Sequence, residues 1–292
     1  MILMEISCTR PPMLNRYTHL TATVKGYPMY VYFGAPHDQI TVLYEGKEPL
    51  TVPVPEYLIQ DERFDYLGNN GYYVCVSFDA PPYEQVYFTV LDIWDNEWFR
   101  IPTDYTIESF WPFNQEPFCI GNSSPLMAIW SSQGTLCIYS CDDGSLLNEF
   151  FVDNPADSLI NMEFIADDSY LLLQTDDGLL LIIDATNGTI VYSEVIYTYT
   201  FSGDLFRTYY DEQDRRLFIR GDLDYHGICL DIDTWTKLVG IPGMLGYDCE
   251  TNMVYQATVD PQTAEHRITA SYFPPADELV DIARELVGMD EK

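Results

Sequence analysis

The residues of this chain best able to do chemistry are four histidines, seven cysteines and 46 carboxylates, and their spacing limits what they can do. His19, His37, His226 and His266 are scattered, and none stands in a His-Glu-x-x-His setting, so each reads as a turn or surface residue. Cys8, Cys75, Cys119, Cys137, Cys141, Cys229 and Cys249 are odd in number and contain no Cys-x-x-Cys. Most sit in apolar runs such as Tyr73-Val-Cys-Val76, which suits reduced thiols packed as small hydrophobes in a cytosolic core. Asp142-Asp143 and Asp231-x-Asp233 have the oxygen ligands that calcium takes, but the Asp-x-[Asp/Asn]-x-[Asp/Asn]-Gly loop is not met. Turn carboxylates more often accept hydrogen bonds from nearby backbone amides. Carboxyl pairs about 5 to 9.5 Å apart hydrolyse glycosides, yet so many acids meet that spacing by chance that none is singled out. No Gly-x-Ser-x-Gly elbow and no Gly-x-x-x-x-Gly-Lys-[Ser/Thr] loop occurs. The sequence therefore nominates no catalytic, metal-binding or cofactor-binding residue, and no cofactor.

Aromatic residues are the remaining feature: 23 Tyr, 15 Phe and 5 Trp. Tyr27, Tyr83, Trp94, Trp98, Trp111 and Tyr225 fall in expected loops, and exposed Tyr and Trp anchor protein interfaces at low entropic cost. The stretch from Asp92 to Phe113 is densest. The candidate interface residues are Trp94, Trp98, Trp111, Phe113 and Tyr225. The competing role for such rings is to fill wedges between packed sheets.

The elements that must position them repeat along the chain. Pro125 to Gly144 aligns without gaps on Ser169 to Gly188 at an offset of 44, so that Gly134 meets Gly178, Ile138 meets Ile182 and Gly144 meets Gly188. The unit is an apolar strand, a turn ending in Gly, a second apolar strand and an Asp/Asn-Gly turn into a third; Gly supplies the positive φ that tight hairpins need. A looser copy follows, in which Gly227 stands for Gly178 and Asp233 for Asp184. Further strand pairs are expected at 29–33 with 40–44, 72–78 with 86–92, and 253–259 with 266–272. The fold class is accordingly all-β, a β-propeller of about six four-stranded blades (seven fit the period too), spanning residues 1–273. The last unit offers three strands, and Ile2 to Ser7 is expected to supply its fourth, closing the ring. Residues 274–292 form a tail: Leu279, Ile282, Ala283, Leu286 and Val287 share the spacing of one short C-terminal α-helix.

A formal charge of −32 with 47% hydrophobic residues describes a folded, very acidic chain, since a disordered acidic tail is poor in apolar residues. It disfavours nucleic acid and anionic membranes, and the chain start shows neither a basic n-region nor a long apolar run. Acidity with aromatic anchors points to a basic protein or peptide partner, steered in by the field.

The phrase Gly178-Leu-Leu-Leu-Ile-Ile-Asp-Ala-Thr-Asn-Gly188 and its copies resemble WD-repeat and quinoprotein-like propellers, although the Gly-His and Trp-Asp signatures of true WD repeats are missing. The tail Asp277 to Leu286 is similar to the helix that follows propeller arrays in some large bacterial signalling proteins. The resemblance implies recognition of proteins or peptides on the faces of the ring. The function expected is thus a non-enzymatic interaction scaffold in the bacterial cytoplasm, with a hydrolase or lyase acting on a sugar or lactone at the central channel as the alternative.

Overall fold

A computed structural model describes residues 19–24, 27–33, 38–56, 64–68, 70–78, 85–95, 97–105, 118–131, 133–152, 159–175, 178–195, 207–220, 226–259, 266–275 and 278. Within them lie six antiparallel sheets, here lettered A to F, each built from consecutive strands. Sheet A holds β1 (His19–Val24), β2 (Tyr27–Phe33), β3 (Gln39–Tyr44) and β4 (Leu50–Pro53). Sheet B holds β5 (Phe64–Leu67), β6 (Tyr72–Phe78), β7 (Val86–Asp92) and β8 (Glu97–Pro102). Sheet C holds β9 (Phe118–Ile120), β10 (Leu126–Trp130), β11 (Thr135–Ser140) and β12 (Leu146–Phe151). Sheet D holds β13 (Leu159–Ile165), β14 (Tyr170–Thr175), β15 (Leu179–Asp184) and β16 (Ile190–Val195). Sheet E holds β17 (Arg207–Asp211), β18 (Arg216–Arg220), β19 (His226–Asp231) and β20 (Thr236–Pro242), and sheet F the three strands β21 (Met244–Asp248), β22 (Met253–Val259) and β23 (His266–Tyr272). The expected strand Ile2 to Ser7 and the expected C-terminal helix lie outside the described residues, apart from Glu278.

The chain divides into two compact units, residues 1–110 with 140–145, and 111–139 with 146–292. In the first unit β1 lies beside β5; in the second, β9 lies beside β13, and β21 lies beside both β17 and β18.

The glycines of the repeat behave as their spacing demands: Gly134, Gly144, Gly178 and Gly188 all have φ between +71° and +83°. The two copies share a second detail. Pairing of the third strand with the fourth is bulged after Ile138 in sheet C and after Ile182 in sheet D. The same bulge follows Cys229 in sheet E, which sets that copy at an offset of 47 from sheet D. Asp231, not Asp233, is therefore the counterpart of Asp184. Both end the third strand and take turn amides: Asp184 Oδ1 from Thr186 at 2.8 Å, and Asp231 Oδ1 from Thr234 at 2.7 Å.

Middle strands are apolar on both faces because each face packs against a different neighbour. In sheet D, Leu171, Leu173, Leu181 and Ile183 join a core with Ala128, Leu136 and Ile138 of sheet C. The alternate residues Leu172, Leu180 and Ile182 join another with Leu217, Ile219, Ile228 and Leu230 of sheet E. Each such side chain contributes roughly 1.5–3 kcal/mol by leaving water. The fourth strands β12, β16 and β20 are mostly exposed, and their polar alternation follows. Sheet A packs one face, Met29, Val31, Ile40 and Val42, against Tyr73, Cys75 and Leu91 of sheet B. Its other face leaves Tyr30 and Tyr32 exposed. The thiols of Cys75, Cys141 and Cys229 are fully buried, as expected of cysteines used as core residues, and burial pushes Cys229 up to about 12.

Not every turn acid faces solvent. Asp142, Asp143, Asp167 and Glu212 are exposed, but Asp168 and Asp211 are 4% and 3% exposed. Asp168, in the β13–β14 turn, accepts the amide N–H groups of Asn122, Ser123 and Ser124 from the β9–β10 turn, at 2.8, 2.8 and 2.6 Å, and the Ser123 hydroxyl at 3.0 Å. A side chain at Gly121 would start 3.0 Å from the same carboxylate and 2.6 Å from Ser124 O, so the clamp requires glycine there. Asp211 does comparable work between sheets E and F, accepting from the Tyr247 hydroxyl at 2.7 Å and the Asp214 amide at 3.1 Å. Asp168 and Asp211 thus join adjacent sheets, although an acidic turn residue is expected to face solvent.

Candidate functional site

Among the described residues, an exposed group of three aromatic rings lies in the first unit. It is built from three turns at one end of sheets A and B. Asp92 ends β7 and accepts the amides of Trp94 and Asp95 on Oδ1, at 2.8 and 3.2 Å. That side-chain-capped turn leaves the indole facing outward. Tyr44 occupies the corresponding place at the end of β3 and donates its hydroxyl to Val24 O at 3.1 Å. Tyr27 opens β2 directly after the β1–β2 connection.

The three rings form a corner. Tyr27 and Tyr44 lie 6.0 Å apart at 71°, and Tyr44 and Trp94 lie 5.2 Å apart at 76°. These are the edge-to-face contacts that aromatic quadrupoles favour. Trp94 remains 45% exposed and Tyr27 52%. Beside them a cleft of about 310 Å³ is lined by Pro28, Tyr30, Leu43, Tyr44, Glu45 and Lys47. Glu45, Asp95 and Glu97 are exposed around this surface.

Of the residues nominated from sequence, Trp94 stands in this group. Trp98 does not. It is half-buried, donates its indole N–H to Pro53 O at 3.1 Å and packs edge-on against Tyr73 at 5.9 Å, so it wedges sheet A against sheet B. Trp111, Phe113 and Tyr225 lie outside the described residues. Tyr44 was missed because it reads as the end of a strand; only the register of its turn with that after Asp92 reveals it.

Gly71 holds the indole in place. Its φ is +92°, and a Cβ there would stand 2.9 Å from Trp94 Nε1 and 3.5 Å from a Val24 methyl. Gly71→Ala is expected to displace Trp94 and cost about 1–3 kcal/mol. Urea unfolding followed by tryptophan emission checks both, with Trp94→Phe identifying the Trp94 signal; unchanged emission and stability would contradict the placement.

A second chemically distinct group lies in the other unit. Glu163 sits on the first strand of sheet D and accepts a hydrogen bond from Thr208 Oγ1, on the first strand of sheet E, at 2.8 Å. Burial pushes its carboxyl up to about 7, against the smaller opposing pull of the Thr208 hydroxyl. Among the described residues no three His, Cys, Asp or Glu side chains gather as a metal site would require, and no helix is long and apolar enough to cross a membrane.

No protein-family model matches the chain, and no curated protein matches it in sequence. Solved structures do match in fold. A chain of the mitotic checkpoint complex is 8% identical with a TM-score of 0.51, over 89% of this chain and 77% of that one. BamB from Moraxella catarrhalis is 10% identical with a TM-score of 0.52, over 89% and 80%. The dihydro-heme d1 dehydrogenase NirN, in complex with DHE, is 14% identical with a TM-score of 0.50, over 77% of this chain and 47% of its own. At these identities the likeness establishes fold alone, and the fold is a β-propeller of the WD-repeat and quinoprotein-like kind.

Proposed function

We propose that the chain is a non-enzymatic interaction module, a propeller scaffold in the bacterial cytoplasm that binds a basic protein or peptide. The observation that carries this reading is the exposed Tyr27–Tyr44–Trp94 corner on a chain of net charge −32. Rigid Tyr and Trp side chains beside a cleft provide the anchors of a protein interface, and a surrounding acidic field accelerates encounter with a cation-rich partner. Asp92, Asp168 and Asp211 are buried, while the other carboxylates with described side chains reach solvent at least in part and supply that field.

The test is affinity capture from native lysate at about 50 and 500 mM salt, ionic strengths that bracket effective screening, with wild type beside a Tyr44→Ala/Trp94→Ala variant. The expected result is a set of basic proteins retained at low salt, released at high salt and absent from the variant. Equal capture by the variant would overturn the reading. Glu163 is the observation that favours the alternative, a sugar or lactone hydrolase or lyase, because a carboxyl titrating near 7 is suited to general acid–base work. That reading requires Glu163→Gln to abolish turnover, measured against a panel of aryl glycosides and lactones, while leaving the fold intact.

A further inference from the structure

We infer that the Tyr27–Tyr44–Trp94 corner is a subsite for one arginine side chain of that basic partner. The inference rests on the interaction reading and names the chemistry it recognises. Tyr27 and Trp94 each meet Tyr44 edge-to-face and stay about half exposed, which leaves ring surface that a cation can stack on. Glu45 follows Tyr44 and Asp95 follows Trp94 in the chain, and both are exposed, so carboxylates stand next in sequence to two of the rings. A guanidinium is the cation that exploits both features at once: it stacks on ring faces and offers a planar fork of donors to a carboxylate. Sheet B already uses this contact internally, with the Arg100 guanidinium 3.7 Å over the Tyr87 ring.

The neighbouring cleft fixes the side of Tyr44 on which the cation sits. Lys47 lines that cleft with Glu45, and its ammonium opposes a second positive charge there. Asp95 is the exposed chain neighbour of Trp94, and neither neighbour of Trp94 in the sequence is a lysine or arginine, so the guanidinium is assigned to the Trp94 side of Tyr44 and the cleft to an apolar neighbour of the arginine.

The test uses the full chain carrying 5-fluorotryptophan, with the Trp94 fluorine resonance identified through Trp94→Phe. Blocked Gly-Arg-Gly, Gly-citrulline-Gly and Gly-Lys-Gly peptides are titrated separately. Citrulline keeps the shape of arginine and removes its charge. The arginine peptide is expected to shift the Trp94 resonance saturably and to bind about tenfold more tightly than the citrulline twin. Asp95→Asn is expected to weaken it severalfold and Tyr44→Leu to abolish it. Tyr27→Leu, at an exposed position that does not threaten folding, is expected to weaken it too. Equal binding of citrulline would overturn the inference, as would equal binding of lysine or a shift that survives both tyrosine variants. Failure here with salt-sensitive capture intact leaves the interaction reading standing. Arginine binding with capture unaffected by loss of the corner does the reverse.

Discussion

Replacing Asp168 by Ala is expected to lower the unfolding free energy by about 4 kcal/mol, among the largest effects of any polar substitution in the chain. The carboxylate accepts three backbone amides and a hydroxyl from the β9–β10 turn while only 4% exposed. Deleting it removes four hydrogen bonds to a charged acceptor, each worth about 1.5–3 kcal/mol where water is excluded and less here, because Asn122 and Ser123 are exposed and their amides regain water. Ala is also strained at the φ of +62° that Asp168 adopts, a conformation Asp tolerates better. Asp168→Asn keeps the backbone preference and one acceptor oxygen but points an amide group at backbone donors, and is expected to cost about half as much. Urea unfolding of the whole chain measures both. A loss below about 1 kcal/mol for Asp168→Ala would show that the clamp does not hold the two sheets.

The second large effect is a reversal with pH. The Glu163 carboxyl is raised by burial to about 7 from an ordinary value of 4.5. Between these values the folded chain binds a proton that the unfolded chain does not, so this group's contribution is fully present below about pH 4.5 and is lost as pH rises through 7. Glu163 is half-buried, and Glu163→Gln removes its charge. It is expected to stabilise the chain by roughly 3 kcal/mol at pH 8 and by little at pH 5. The informative quantity is the difference between variant and wild type across pH, from denaturant melts. A difference independent of pH would contradict the assignment.

The sequence carried the sheets and the first strand of the last one, and lost the first strands of the others. Middle and outer strands announce themselves through glycine-bounded turns, and β6, β7, β22 and β23 run as expected, from Tyr72 to Phe78, Val86 to Asp92, Met253 to Val259 and His266 to Tyr272. β5, β9 and β17 are short, at 4, 3 and 5 residues, and no hairpin signal precedes them. Each lies beside a strand of a neighbouring sheet, β5 beside β1, β9 beside β13 and β17 beside β21, a packing that no local pattern encodes. The same limit explains the acids. Asp167 and Asp168 are chemically identical neighbours, yet one is exposed and the other fixes three amides of another sheet. Burial of a carboxylate depends on donors more than forty residues away, and composition cannot report it.

The binding site was half legible for a related reason. Trp94 is exposed because the Asp92 turn is local, and local turns can be read. Trp98, four residues on, faces Pro53 and Tyr73 because β8 pairs with β7 in a register that turns its ring toward sheet A. Tyr27 and Tyr44 join Trp94 only once sheets A and B are side by side.

Hydroxyl-radical footprinting of the chain, free and saturated with a basic protein captured from lysate, tests the central claim most directly. Tyr27, Tyr44 and Trp94 are large, reactive and differently placed in sequence, so their oxidation rates report one surface through three independent peptides. The account predicts that all three are protected together, about fivefold or more, and that protection fades as salt is raised. Unchanged oxidation at these rings, with protection confined to sheets C to F, would contradict it.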